Sequence, residues 1–234
     1  MIHSGHRVLN NTVHTSGKFL LQPKPFVGLG ATDLDIGFNN LVDHAGISDN
    51  RTYVPNPPND ILVHGMELGL ANAVEAGAFP GRPQVYLIKT GHGGSRIDQW
   101  NVGGSYWTKF LQRTDAAKAV LPANARWIVW YSQGINDAVA GVPIATWKTA
   151  TIAHLAKLKA QLPGCQIIFT EFQSMPANGG YPAVNAAIRE IVAADPTALA
   201  SVDTTGAAAQ DGNHWSYAGY RNTVVPAMVA ATRP

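Results

Sequence analysis

The chain has one cysteine, Cys165, among 234 residues, and only 14% of its side chains are charged. A single cysteine excludes an internal disulfide framework and a zinc site built from cysteines. The net charge is +2 and no run of lysine or arginine occurs. The sequence therefore gives no electrostatic reason to expect binding to nucleic acid or to an anionic membrane surface.

Long hydrophobic runs are also missing, since no apolar stretch reaches the roughly 18 residues that a membrane helix needs. Residues 1–20 carry three histidines and scattered polar side chains. We therefore expect no signal peptide there and, by default, a cytoplasmic protein. Hydrophobic residues nevertheless make up 46% of the chain, which is enough for a substantial core. The length predicts a single domain over residues 1–234.

The character of the sequence changes near residue 60. Five prolines and many Asn, Asp and Gly residues make residues 1–60 an irregular N-terminal part. From residue 61 onward, short apolar runs alternate with amphipathic stretches. Strands are predicted at 83–89, 126–131, 165–170 and 199–203, because each run is almost continuously apolar and rich in β-branched or aromatic residues.

Helical periodicity lies between these strands. Apolar residues at spacings of three, four and eight predict helices over 144–162 and 181–194, and weaker patterns fit helices over 61–77, 106–120 and 216–231. Alternation of strands and helices implies right-handed crossovers and a parallel sheet. The predicted fold is a three-layer α/β/α sandwich with a central, mainly parallel sheet of the flavodoxin-like kind.

In such a sheet, ligands bind beyond the carboxyl ends of the strands. Three segments follow predicted strands there. Residues 90–100 contain adjacent glycines that let backbone N–H groups approach a ligand. Residues 132–137 offer the side-chain amides of Gln133 and Asn136. Asp211 stands three residues before His214, a spacing that lets a carboxylate orient an imidazole.

The order of these motifs resembles the SGNH (GDSL-type) hydrolases, and most closely their carbohydrate esterase branch of sialate O-acetylesterases and acetylxylan esterases. Residues 93–100 read Gly-Gly-Ser-Arg-Ile-Asp-Gln-Trp and fit that branch throughout. Residues 130–137 read Trp-Tyr-Ser-Gln-Gly-Ile-Asn-Asp, in which isoleucine replaces the branch's glutamate. Residues 211–219 begin Asp-Gly-Asn-His and end in glycine, as the terminal motif requires. The resemblance covers about residues 60–234.

The resemblance implies a role for each matching residue. His214 would be the general base and Asp211 its orienting carboxylate. The backbone N–H of Gly94 and the side-chain amide of Asn136 or Gln133 would form the oxyanion hole. Further residues near these loops are expected to contact substrate, namely His92, Ser95, Trp100 and Trp215, although tryptophans at such positions also cap cores.

The family's nucleophilic serine has no clear counterpart. The nearest pattern is the apolar run at residues 26–33, which puts Thr32 at the serine position, and an ordinary loop threonine is the alternative. Ser4 and Ser16 do not follow an apolar strand. A further alternative is that Met1 begins just after the family's first motif.

The resulting hypothesis is a carboxylic-ester hydrolase that removes O-acetyl groups from a carbohydrate through an acyl-enzyme intermediate. No metal or organic cofactor is implied. The alternatives are a carbohydrate-binding relative that has lost the nucleophile, and a lipase or thioesterase of the same fold. Outside the site, His154 is expected to face solvent from its amphipathic helix, and Cys165 to be an inert core thiol.

Overall fold

The computed structural model describes residues 66–81, 85–88, 90–91, 94–172, 181–209 and 215–233, and the backbone of five short strands before them. Those strands are β1 (Thr12–His14), β2 (Phe19–Gln22), β3 (Asn39–Asp43), β4 (Thr52–Val54) and β5 (Ile61–Val63). The elements that follow are α1 (Glu67–Glu75), β6 (Val85–Ile88), a 3₁₀ turn (Ile97–Trp100), α2 (Ser105–Val120), β7 (Ile128–Tyr131), α3 (Ile135–Val139), α4 (Ile144–Gln161), β8 (Gln166–Thr170), α5 (Tyr181–Ala194), β9 (Leu199–Val202), α6 (Tyr217–Gly219), a π-helical turn (Tyr220–Val224) and α7 (Val225–Ala231).

The strands pair as three sheets, with the orders β1-β3-β2-β6, β4-β5 and β7-β8-β9, and the strands after residue 80 pair in parallel with their neighbours. Strands β7, β8 and β9 lie side by side in that order and are parallel. Strand β6 pairs in parallel with β2, which pairs antiparallel with β3. All five residues of β8 are buried, so helices cover both faces of the sheet at this strand. The predicted α/β sandwich is confirmed, and all four predicted strands form within the predicted ranges.

The helices bury the apolar residues that define their periodicity. On α4, Trp147, Leu155 and Leu158 are buried, and on α5 Val184 and Ile188 are buried. Helices α4 and α5 pack against each other, and α1 packs against α7. Among the described residues, no helix combines the length and the apolar character needed to cross a membrane.

Two predicted helices differ from the structure. The segment 61–77 begins as a strand, because Ile61–Val63 pairs with Thr52–Val54, and its helix covers only Glu67–Glu75. The segment 216–231 is interrupted by the π-helical turn. Pro226 lies in the first turn of α7 and has no N–H to donate to the turn before it, which favours a break at this point.

The prediction that His154 faces solvent is wrong. Its side chain is 3% exposed and lies 5.5 Å, between ring centroids, from Trp107. His154 lies beside the apolar stripe of α4. The side chain of Trp107, which belongs to α2 and is itself buried, packs against His154 and shields it from solvent. Burial lowers the pKa of His154 to about 4, although a hydrogen bond with the Trp100 backbone acts in the opposite direction.

A buried neutral histidine makes the stability depend on pH. The imidazole titrates near 6.5 when the chain is unfolded and near 4 when it is folded, so the unfolded state takes up the proton first as pH falls. His154 therefore contributes full stability above pH 6.5 and loses it progressively down to pH 4. Relative to a His154→Phe variant, the wild type should lose about 3 kcal/mol across that range. Urea unfolding at a series of pH values measures this difference; parallel curves for the two proteins would contradict it.

The turn between β7 and α3 requires glycine at position 134. Gly134 has a φ of +125°, which L side chains rarely adopt. A Cβ at this position would lie 2.8 Å from the Trp147 ring and 3.0 Å from Val184. Helices α4 and α5 therefore pack directly against the backbone of this turn.

Gly134→Ala should consequently destabilise the protein by about 2–4 kcal/mol, since it combines backbone strain with overpacking. Gly164→Ala is the matched control, because Gly164 has a φ of +73° but a Cβ there would meet no atom of the described residues within 4 Å. The control should lose only about 1–2 kcal/mol. Thermal and urea unfolding of both variants measure the difference, and equal losses would show that the Trp147 contact is unimportant.

Candidate active site

Two loops that follow parallel strands form the described part of the site. The first follows β6 and leads through Gly94 into the 3₁₀ turn. Gly94 is exposed and has a φ of +68°, and a Cβ at this position would meet no atom of the described residues within 4 Å. The Trp100 indole N–H donates to Ser95 Oγ at 2.9 Å, and the Arg96 N–H donates to the Gln99 side chain at 2.9 Å. These bonds close the loop on itself and leave Gly94 at its exposed tip.

The second loop follows β7 and contacts the first directly. The Asn136 side-chain amide donates to the Ser95 carbonyl at 3.1 Å. An amide nitrogen carries two hydrogens, so a second donor remains on Asn136. The structure thus brings Asn136 into contact with Ser95, the neighbour of Gly94, although Asn136 lies 41 residues further along the chain.

A buried carboxylate joins the same two loops from behind. Asp137 is 2% exposed, and both of its oxygens lie 3.2 Å from the Ile97 backbone N–H. The Gln133 side-chain amide also donates to Asp137. Burial raises the pKa of the Asp137 carboxyl above its usual value, and the hydrogen bonds from Gln133 and Ile97 partly offset that rise.

Gln133 has a partner at each end of its amide. Its nitrogen donates to Asp137, and its oxygen accepts a hydrogen bond from the Trp147 indole N–H at 2.8 Å. Trp147 belongs to α4 and is 1% exposed. The Gln133 amide therefore links the second loop to the helix packed beneath it.

The two tryptophans predicted to contact substrate differ in exposure. Trp100 is partly buried, and its ring centroid lies 5.1 Å from that of Tyr106. Trp215 is 1% exposed and stacks on Phe172, with centroids 6.1 Å apart. The environment of Trp215 is that of a core residue, which was the alternative for tryptophans at such positions. Ser95 is also buried, and its Oγ accepts the Trp100 hydrogen bond.

Four of the predicted site residues lie outside the described residues: His214, Asp211, Thr32 and His92. The described residues on either side of 210–214 are nevertheless fixed. Ala209 and Trp215 form an antiparallel bridge, and the Ser216 N–H donates to the Ala208 carbonyl at 2.8 Å. The described residues on the two sides of this segment therefore lie next to each other.

The sequence did not reveal Asp137 and Trp147 as parts of the site. Asp137 stands in the second motif only four residues after Gln133, and this short separation is the signal that could have indicated their contact. Trp147 belongs to a different helix, and its periodicity marks it only as a core residue. Only packing brings its N–H to Gln133.

Comparisons with known proteins identify the family and the fold. A model of the family described as carbohydrate esterase, sialic acid-specific acetylesterase, matches residues 48–226. A solved structure of an Arabidopsis thaliana protein is 13% identical, covers 96% of this chain and 84% of its own, and has a TM-score of 0.68. The structure of NanS is 14% identical, covers 94% of this chain and 88% of its own, and has a TM-score of 0.69. No curated protein matches the sequence.

At these identities, the structural likenesses establish the fold. The family match spans well over half of the 234 residues and includes all three motifs on which the predicted resemblance depended, so that resemblance is confirmed. The chain therefore belongs to the carbohydrate esterase family of sialic acid-specific acetylesterases.

Proposed function

We propose that this chain hydrolyses carboxylic esters and removes O-acetyl groups from a carbohydrate through an acyl-enzyme intermediate. The observation that carries the proposal is the hydrogen bond from the Asn136 amide to the Ser95 carbonyl, beside the exposed Gly94. It supports the proposal because it joins the loop that carries Asn136 to the residue next to Gly94, and these two proposed donors come from separate family motifs. Membership of an esterase family supports the same reaction class.

The two donors suit the charge that develops during ester hydrolysis. When a nucleophile attacks the carbonyl carbon, negative charge builds on the carbonyl oxygen. In our proposal the Gly94 N–H and the second hydrogen of the Asn136 amide bind that oxygen. Gln133, the other candidate donor, already bonds with Asp137 and Trp147, so we assign it to holding the loop.

His214 is the proposed general base, with Asp211 accepting from its imidazole. The base takes the proton of the attacking hydroxyl and later returns it to the departing sugar oxygen. Water then attacks the acyl-enzyme with the same histidine as base, releasing acetate. The bridge between Ala209 and Trp215 supports this role, because it anchors both ends of the segment that carries the pair.

Thr32 is the proposed nucleophile. Strand β2 is parallel to β6, so both strands end at the same edge of the sheet. Between Gln22, where β2 ends, and Asn39, where β3 begins, the sequence contains one hydroxyl side chain, that of Thr32. Thr32 is therefore the one hydroxyl that this connection offers to the proposed mechanism. In the proposed first step its Oγ1 bonds to the acetyl carbon as the bond to the sugar oxygen breaks.

The proposed substrate contacts lie around the Gly94 loop. The partly buried ring of Trp100 is held by Ser95 and offers an aromatic surface of the kind that packs on sugar faces. His92, two residues before Gly94, is the second proposed contact. Trp215 acts from the core, where it supports the segment that carries His214.

Asn136→Ala should lower kcat for an acetyl ester by about 10²–10³, because it removes one oxyanion donor, and should change KM little. Asn124→Ala is the matched control, since Asn124 is exposed and precedes the amino end of β7, away from the site. Steady-state kinetics with p-nitrophenyl acetate and with O-acetylated sialic acid measure both variants. Equal kcat values for the two variants would show that Asn136 does not act as an oxyanion donor.

A fluorophosphonate should label the protein once, on Thr32, because these reagents trap a hydroxyl activated by a neighbouring base. The adduct should disappear in Thr32→Ala and in His214→Ala but persist in Thr32→Ser, which keeps the hydroxyl. Intact-mass spectrometry with peptide mapping identifies the residue. A label on another residue would refute the Thr32 assignment.

Labelling, together with assays of ester hydrolysis and sugar binding, distinguishes the alternative functions. A folded protein that takes no label and hydrolyses no ester, but binds acetylated sugars, would be a non-catalytic relative. Faster hydrolysis of octanoyl than of acetyl esters would indicate a lipase or thioesterase.

A further inference from the structure

We propose that Trp147, Gln133 and Asp137 are positioning residues that hold the Gly94–Ile97 loop in its catalytic geometry. We call this chain of hydrogen bonds, which ends at the Ile97 N–H, the indole relay. The inference rests on the proposed function for its effect on catalysis. Its effect on the loop can be measured independently.

The donors and acceptors of the indole relay can be assigned in only one way. The Trp147 indole is a donor only, so it must meet the oxygen of the Gln133 amide, at 2.8 Å. That contact fixes which end of the amide faces Asp137, namely the nitrogen. Gln133 cannot flip, because a flip would set its NH₂ group against the indole N–H.

Asp137 connects Gln133 to the first loop through the Ile97 backbone. An ionised carboxylate only accepts hydrogen bonds, and Asp137 takes one from Gln133 and one from the Ile97 backbone. The carboxylate is 2% exposed, so bulk water competes poorly for these positions. The Ile97 side chain is 3% exposed, which places this end of the loop inside the core.

The loop so held carries the proposed oxyanion donor. Gly94 lies three residues before Ile97, and the Ser95 carbonyl between them receives the Asn136 amide. Displacement of Ile97 would therefore move the Gly94 N–H relative to Asn136. A shift of about 1 Å in such a group can lower the rate roughly 10²-fold.

The polarity of the indole relay provides a sharp test. Asp137→Asn keeps an oxygen for the Ile97 N–H, but its NH₂ group then faces the NH₂ group of Gln133. Adding Gln133→Glu exchanges the carboxylate and the amide, so that every donor again meets an acceptor. Trp147→Phe removes the indole N–H while retaining an aromatic ring. Trp127→Phe is the matched control, because Trp127 precedes the amino end of β7, opposite the site.

Two measurements are made on each variant: amide hydrogen exchange at Ile97, and kcat and KM for an acetyl ester. Asp137→Asn and Trp147→Phe should each speed exchange at Ile97 about tenfold and lower kcat about 10- to 100-fold, with KM within about twofold of wild type. The double variant Gln133→Glu/Asp137→Asn should restore both values to within about threefold. Trp127→Phe should change neither. If Asp137→Asn does not fold, Trp147→Phe and the double variant supply the same readings.

Wild-type exchange at Ile97 in both single variants would overturn the inference, as would a double variant no better than Asp137→Asn. Faster exchange with unchanged kcat would also overturn it, because the loop position would then not matter for catalysis. A wild-type protein that hydrolyses no ester would instead refute the proposed function. The exchange measurements would in that case still decide whether the indole relay holds the loop.

Discussion

The arrangement of the site depends on one buried carboxylate. Asp137 accepts hydrogen bonds from the Ile97 backbone and from the Gln133 side chain, and so ties together two loops that end different strands. Burial of a charged carboxylate is unfavourable, and for this reason burial raises the pKa of Asp137. Such a group is stable only when its hydrogen bonds are made, and both loops must therefore adopt one relative position.

Helix α4, which packs against the second loop, also helps to hold the polar groups of the site in place. Helix α4 supplies Trp147, which bonds with Gln133, and His154, whose ring packs against Trp107. Trp147 also packs against Gly134, where no side chain could fit. The polar groups near the site thus rest on rigid, close-packed structure, as precise placement of hydrogen-bond donors requires.

Membership of the acetylesterase family and the geometry of the described residues bear on different parts of the reaction. The family match concerns the class of ester, whereas the hydrogen bond between Asn136 and Ser95 supports our proposal for how negative charge on the carbonyl oxygen is stabilised. Fold alone would have supported neither, since the α/β sandwich carries many activities. The proposed chemistry combines the two with the positions of Thr32, Asp211 and His214 in the sequence.

The sequence by itself indicated the four later strands, the main helices and the family, but not the five short strands before residue 64, where it predicted an irregular N-terminal part and the start of a helix. Apolar runs such as Ile128–Tyr131 and the stripe on α4 follow from local periodicity, and the three motifs are read directly in order. Tertiary structure decided the burial of His154 and the link from Trp147 through Gln133 to Asp137. Those contacts join residues from separate elements, and no local pattern encodes them. Periodicity identifies which face of a helix is apolar, but only packing determines which polar groups that face will meet.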